Sequence, residues 1–411
     1  MKKDLDALMH AHELDALLVM GPGQHNADMV YLTGGGHLTS AELIKVRDGQ
    51  TVLFYSPMER DEAAKSGLAT RNLQDYNYKK LLEEAGGSAP KALALRYQRM
   101  LADAGIEKGR VGVYGKVSIG PVFAVLSELQ ALAPGLTLVG ETGNNVLLKA
   151  RATKEAAEIE RMRRMGQITT QVVGQVADFL SSHKAKNEVL VKKDGQPLTI
   201  ADVKSKINLW LVEKGAENPE GTIFAIGRDA GVPHSSGSPD DTLKLGQTIV
   251  FDIFPCEQGG GYYYDFTRTW CLGYAPDRAA SLYDDVYSAY KQIMSELKAD
   301  MPCVDYDKRV SRIFEQQGHA TIESNPDTQE GYVHSLGHGL GLNVHEAPWF
   351  RSTADADNRL EPGVVVTIEP GLYYPDHGLG CRLEDTVWVR PDGAMEILAE
   401  YPLDLILPVK E

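Results

Sequence analysis

Leu5, Leu8, Met9 and His12 recur at the spacing of an amphipathic helix, and Ala16-Leu-Leu-Val-Met20 then runs apolar without interruption. This change of period predicts a helix feeding a buried strand, the start of an α/β layer. Val52-Leu-Phe-Tyr55, Val111-Gly-Val-Tyr114 and Leu136-Thr-Leu-Val139 predict further short strands, and residues 89–104 and 121–133 carry helical periodicity. Gly34-Gly35-Gly36 follows Tyr31-Leu-Thr33 without the GxGxxG spacing of a nucleotide loop, so a turn is expected there.

The polar stretch Lys149-Ala-Arg-Ala-Thr-Lys-Glu155 interrupts the pattern and places a domain boundary near 148–154. A helix from Glu155 to about Leu180 follows. Thr153 fits a capping box only loosely, because Ala156 stands where the box wants a glutamate. Beyond a charged, glycine-containing stretch at 183–197, helices are expected at 199–214, 277–299 and 305–317 within an otherwise strand-rich half. The chain has 411 residues, more than one core readily supports. Two domains are expected, 1–150 as a smaller α/β layer and 151–411 as an α+β domain.

The second half places single acids in apolar strands. Asp252 lies in Thr248-Ile-Val-Phe-Asp-Ile-Phe254 and Asp265 in Tyr262-Tyr-Tyr-Asp-Phe-Thr-Arg-Thr-Trp270, and Gly259-Gly-Gly261 forms the tip of the hairpin between them. Glu369 in Val364-Val-Val-Thr-Ile-Glu-Pro-Gly371 and Glu384 in Arg382-Leu-Glu-Asp-Thr-Val-Trp-Val389 repeat the pattern. An ionised carboxylate in an apolar setting needs compensation, and divalent cations compensate several at once. Four such acids match the charge of two divalent ions, so a dinuclear site is expected. The two-residue period sets Asp265, Thr267 and Thr269 on one face, where Thr267 could orient Asp265.

Histidines accompany these acids. His334-Ser-Leu-Gly-His338-Gly-Leu-Gly-Leu-Asn-Val-His345-Glu346 carries three, and His234 lies upstream. Gly337, Gly339 and Gly341 disfavour a helix, so the run is expected to be extended with close backbone approach. His338 and His345 are an odd number of residues apart and must be brought to one side by a bend near Leu342-Asn343. Oxygen ligands with one imidazole favour manganese, cobalt or zinc.

Composition narrows the class. A net charge of −15 argues against nucleic acid and anionic membrane surfaces as partners. Four scattered cysteines without a CxxC pair fit a reducing compartment. With acids in the first residues and no run of eighteen apolar residues, a cytoplasmic protein is expected.

With these motifs the sequence resembles the creatinase-fold, or pita-bread, metallopeptidases of family M24, in the proline-specific branch of Xaa-Pro dipeptidase (prolidase) and aminopeptidase P. The run His334–Glu346, Asp265-Phe-Thr-Arg-Thr269, Thr367-Ile-Glu-Pro-Gly371 and Arg382-Leu-Glu-Asp385 carry the resemblance. Leu14-Asp-Ala-Leu-Leu-Val19 and Tyr31-Leu-Thr-Gly34 resemble the family's N-terminal creatinase/prolidase domain more weakly. The resemblance implies a pita-bread catalytic domain in which Asp252, Asp265, His338, Glu369 and Glu384 hold two metal ions. Asp265 and Glu384 would bridge them, Asp252 completing one site and His338 with Glu369 the other, around a bridging hydroxide that attacks the scissile carbonyl.

It further implies that His234 and His345 hydrogen-bond the tetrahedral intermediate and the substrate ends, and that His334 lines the proline pocket. Glu369 would also shuttle the proton to the leaving nitrogen. Arg382 either neutralises a bridging carboxylate or binds the substrate carboxylate. Arg351 matches in position the arginine holding a dipeptide C-terminus. A homodimer acting on small peptides with proline second is implied, most simply as a dipeptidase. Aminopeptidase P is the alternative, and a metal-free or non-catalytic creatinase-like protein a distant one. Asp252 and Asp265 are thirteen residues apart, two more than the family pattern, which lengthens the hairpin and could bring Tyr262–Tyr264 to the rim of the site. Two further extra residues fall near Trp349-Phe350-Arg351.

Overall fold

Strand Ala16–Gly21 explains the first unit. Ala16, Leu18 and Met20 enter one apolar cluster with Leu101 and Leu129, while Leu17 and Val19 enter another with Met9 and Met29. Both faces of the strand are covered, which is why its sequence is continuously apolar rather than alternating. The computed structural model describes residues 4–351 and 358–410. Among them the chain divides into one unit running to Arg151 together with Gly259–Gly261, and a second made of Ala152–Gln258 and the chain from Tyr262 onward.

The first unit holds a six-stranded mixed sheet in the order Ala69–Asn72, Thr51–Tyr55, Ala41–Val46, Ala16–Gly21, Gly109–Gly115, Leu136–Val139. Two of these strands escape the hydrophobic pattern. Ala41–Val46 buries Glu42 against Arg96 and Tyr97 at 3.1 and 3.2 Å, and Lys45 against Asp6 at 2.8 Å. Ala69–Asn72 is a largely exposed edge. Gly34, at φ 81°, ends helix Ala27–Thr33 in the left-handed conformation, so the triple glycine begins as a helix cap.

The second unit opens with helix Ala156–Ser181. Its cap is not Thr153. Glu155 and Glu158 form the reciprocal capping box, a glutamate at the cap position doing what a serine or threonine usually does. A four-stranded sheet runs Thr222–Ile226, Thr248–Ile253, Phe266–Leu272, Ile406–Leu407, and a five-stranded one runs Glu346–Trp349, His338–Gly339, Val365–Ile368, Asp385–Val389, Met395–Ile397. Helices Asp277–Glu296 and Cys303–Gln316 share a core with the second sheet. A bridge between Thr267 and Glu384 joins the two sheets, with Glu384 N–H donating to the Thr267 carbonyl at 3.1 Å.

Three predicted strands differ in extent. Phe266 begins the strand expected from Tyr262, because Cys256–Glu257 turns aside to pair with Ala216–Glu217. Glu369-Pro370 interrupts the next, leaving Val365–Ile368 and Gly371–Tyr374, and Leu383-Glu384 separates Leu379–Arg382 from Asp385–Val389. Tyr262, Tyr263 and Tyr264 are buried rather than at a rim. The expected hairpin is therefore a pair of strands with a structured connection.

Candidate active site

Asp252 lies within its strand, directly across from Thr267. Asp265 comes just before Phe266–Leu272, Glu369 just after Val365–Ile368, and Glu384 in the break before Asp385–Val389. Three of the four acids thus sit where a strand stops, with side chains released from the pleat. His338 reaches the same place on the short strand His338–Gly339. All five are buried.

Contacts within this cluster are short. His338 Nε2 lies 3.2 Å from Glu369 Oε1 and 3.8 Å from Asp265 Oδ2. His338 Nδ1 is 3.0 Å from the Gly339 carbonyl, which fixes the proton on Nδ1 and leaves Nε2 as the ligand atom. Thr367 Oγ1 accepts from His338 N–H at 3.1 Å and donates to Glu369 Oε1 at 3.0 Å, aligning both. Thr267 donates to Glu384 Oε2 at 2.6 Å, not to Asp265 as its strand face suggested. Asp265 Oδ1 accepts instead from Phe266 N–H at 3.0 Å.

Burial raises the Asp252 carboxyl, although Arg382 opposes this, and burial with the charges of neighbouring acids raises Asp265 and Glu384 well above the usual range. Burial would raise Glu369 too, but His334, His338 and Arg382 hold it down at about 2. Asp252 Oδ1 and Glu384 Oε1 are buried with no hydrogen-bond partner among the described residues. Asp265, His338 and Glu384 offer ligand atoms within 4.8 Å of one another. Buried acceptors without donors and mutually repelling carboxylates beside one imidazole are a donor set suited to divalent cations.

A cavity of about 500 Å³ opens onto this cluster and is lined by His234, His334, His338 and His345 as well as Asp252, Asp265, Glu369 and Arg382. The chain turns through residues 341–345, which sets the His345 ring 4.3 Å from that of His338. His334 Nε2 meets His234 Nε2 at 3.1 Å, and its Nδ1 lies 3.5 Å from Glu369 Oε2. Burial lowers His334 and His345 to about 4, so both rings are neutral at physiological pH. Gly337 and Gly339 pack so closely that an added Cβ would stand 2.0 Å from the carbonyl oxygens of Thr367 and Ala347. Glu346 also has a place. Its Oε1 accepts from Asn343 N–H at 3.2 Å and closes the turn, while Oε2 lies 3.8 Å from Lys154 Nζ.

The two arginines behave differently from each other. Arg382 is 1% exposed and engages Asp252 Oδ2 at 2.5 Å, Tyr373 OH at 2.7 Å, the Pro233 carbonyl at 3.1 Å and Thr267 Oγ1 at 3.3 Å. Its ion pair is with Asp252, not with Asp265 or Glu384, the two acids that the resemblance makes bridging. Arg351 does not line the cavity; it is exposed and stacks over Trp349 at 4.7 Å. Sequence reasoning missed Lys204, Asn208, Asn218 and Ser236 on the cavity wall, since polar residues on a helix and a loop carry no pattern distinguishing them from a solvated face. Thr367 was also missed as an aligning residue, although it stands two residues before Glu369 on the same strand face.

Comparison with known proteins supports this architecture. Residues 2–152 match the creatinase/prolidase N-terminal domain, and residues 160–391 match metallopeptidase family M24. The probable dipeptidase PepE of Mycobacterium tuberculosis is 30% identical over 266 residues, 65% of this chain and 64% of that protein, so the match spans less than two thirds of that relative. The Xaa-Pro dipeptidase of Pyrococcus horikoshii is 26% identical over 396 residues, covering 96% of this chain and 95% of the relative. The solved Xaa-Pro dipeptidase of Bacillus anthracis superposes with a TM-score of 0.75 at 21% identity, covering 98% of each chain, a likeness of fold. With more than half of its residues matched by the family, the chain belongs to metallopeptidase family M24, a pita-bread catalytic domain preceded by a creatinase/prolidase N-terminal domain.

Proposed function

We propose that this chain is a dinuclear metal-dependent Xaa-Pro dipeptidase, with residues 1–150 as its N-terminal domain and 151–411 as its catalytic domain. The observation that carries this reading is the convergence of Asp252, Asp265, His338 and Glu369 with His234, His334 and His345 on one cavity, with Glu384 within ligand distance of Asp265 and His338 behind it. Relatives named Xaa-Pro dipeptidase supply the substrate class. Asp252, Asp265, His338, Glu369 and Glu384 would hold the ions. Two divalent ions would act as Lewis acids and lower the pKa of water toward neutrality.

The chain's own groups then have distinct tasks. Glu369 lines the cavity and can take a proton from an attacking water and return it to the leaving proline nitrogen. His234 and His345 border the same space and can donate to oxygen as negative charge develops on the scissile carbonyl. His334, between His234 and Glu369, contributes a neutral ring for the proline to pack against. Arg382 neutralises Asp252 and holds it in place.

An oxygen-rich set with one imidazole favours manganese, with cobalt or zinc as substitutes. A homodimer follows from family resemblance, and a cytoplasmic location fits four buried, unpaired cysteines. The test is a panel of Gly-Pro, Leu-Pro and Leu-Pro-Gly assayed during a metal titration of chelated enzyme. Metal-dependent cleavage of the dipeptides is expected. Cleavage confined to the tripeptide would replace this reading with that of aminopeptidase P.

A further inference from the structure

A dipeptide differs from a longer peptide in presenting its terminal carboxylate one residue beyond the scissile bond, where a cation in the cavity would meet it with a charge-assisted hydrogen bond. The two arginines expected for this task are not suited to it. Arg351 does not line the cavity, and Arg382 directs four of its five N–H donors at Asp252, Tyr373, Pro233 and Thr267.

Lys204, on helix Ile200–Glu213, is the other cation lining the cavity among the described residues. Its Nζ donates to the Ser236 carbonyl at 2.5 Å. That bond fixes the ammonium against the segment carrying His234, two residues earlier, and leaves two N–H donors available. No carboxylate among the described residues forms an ion pair with it, although Glu220, exposed, borders the same cavity. Asn208, one turn further along the helix, lines the cavity beside it. The side chain is half-buried, and the loss of hydration pushes its pKa below the ordinary lysine value. An ammonium partly stripped of water without a counter-ion gains most from an anion that enters and pairs with it.

We propose that Lys204 recognises the free C-terminal carboxylate of the substrate and so biases the site toward dipeptides. The assignment rests on the dipeptidase reading above and specifies which residue carries its selectivity. Its chemistry is that of an ammonium with a carboxylate, and peptides whose carboxylate is amidated should not benefit from it.

The test compares Leu-Pro with leucyl-prolinamide in the wild type, Lys204→Met and Lys204→Arg, all fully loaded with metal. Lys204→Met is expected to raise KM for Leu-Pro at least tenfold with kcat within about twofold, to leave KM for the amide unchanged, and to be largely rescued in Lys204→Arg. If Lys204 only holds the His234 segment through Ser236, the methionine variant will lower kcat for acid and amide alike. That result overturns the assignment, as does an unchanged KM for Leu-Pro. Should the wild type hydrolyse neither compound, the dipeptidase reading fails on its own. Calorimetric binding of Leu-Pro to the wild type and Lys204→Met then still decides the role of Lys204: weaker binding by the variant supports it, and equal binding overturns it.

Discussion

Thr267 shows how one hydroxyl links the parts of this site. It stands across the ladder from Asp252, donates to Glu384 at 2.6 Å, and accepts from Arg382, so it aligns an acid from each sheet. Thr267→Val is expected to weaken metal binding by 10- to 100-fold while the protein stays folded, measured by metal titration alongside circular dichroism. Asp307 offers a test at a group that is not itself among the candidate ligands. It accepts from Tyr332 OH at 2.8 Å and Leu336 N–H at 2.9 Å, and burial pushes its carboxyl up to about 6. The folded state therefore keeps this proton longer than the unfolded chain, whose aspartate titrates near 3.9. Stability is lost as pH rises through that window, by roughly 3 kcal/mol in total for this group. Asp307→Asn keeps an acceptor oxygen without the charge, and should gain on the wild type by about 1.5 kcal/mol between pH 5 and pH 8 in urea unfolding. A gap that does not change with pH would contradict this assignment. The site acids were legible because carboxylates in apolar strands are costly and hence informative. Lys204 was not, since a lysine on a helix looks the same whether it meets solvent or a substrate.

Secondary elements were legible where burial imposes a period. The helix expected at 89–104 is Ala89–Asp103, that at 199–214 is Ile200–Glu213, and that at 277–299 is Asp277–Glu296. Strands with charged interiors were not, since Glu42 and Lys45 enter the sheet only by pairing with partners distant in sequence. Nor was the interruption of strands at Glu369 and Glu384 expected, although Pro370, directly after Glu369, is a local signal for the first of them. The glycine-rich strand beside His338 gives the sharpest prediction at this scale. Gly339→Ala would drive a methyl into the Ala347 carbonyl and displace the pairing of His338–Gly339 with Glu346–Trp349. It should cost about 1–3 kcal/mol in urea unfolding and lower metal affinity as well. Gly120→Ala, in open space on helix Ile119–Leu132, should not destabilise and serves as the control.

At the scale of the whole molecule, two units share the chain, and the acids, the histidines and the cavity all belong to the second. Its two sheets meet at Thr267 and Glu384, so folding of this unit gathers four carboxylates around one point. Bound cations would relieve their mutual repulsion, so saturating manganese should raise the thermal midpoint of this unit, an effect that chelation reverses. On the proposed function this cluster holds two ions that hydrolysis requires. Titration of chelated protein with manganese, following ions bound per chain together with Leu-Pro cleavage, tests it most directly. Two ions per chain are predicted, with activity rising as they bind and both lost in Glu384→Ala. Full activity in metal-free protein, or no binding at all, would contradict it.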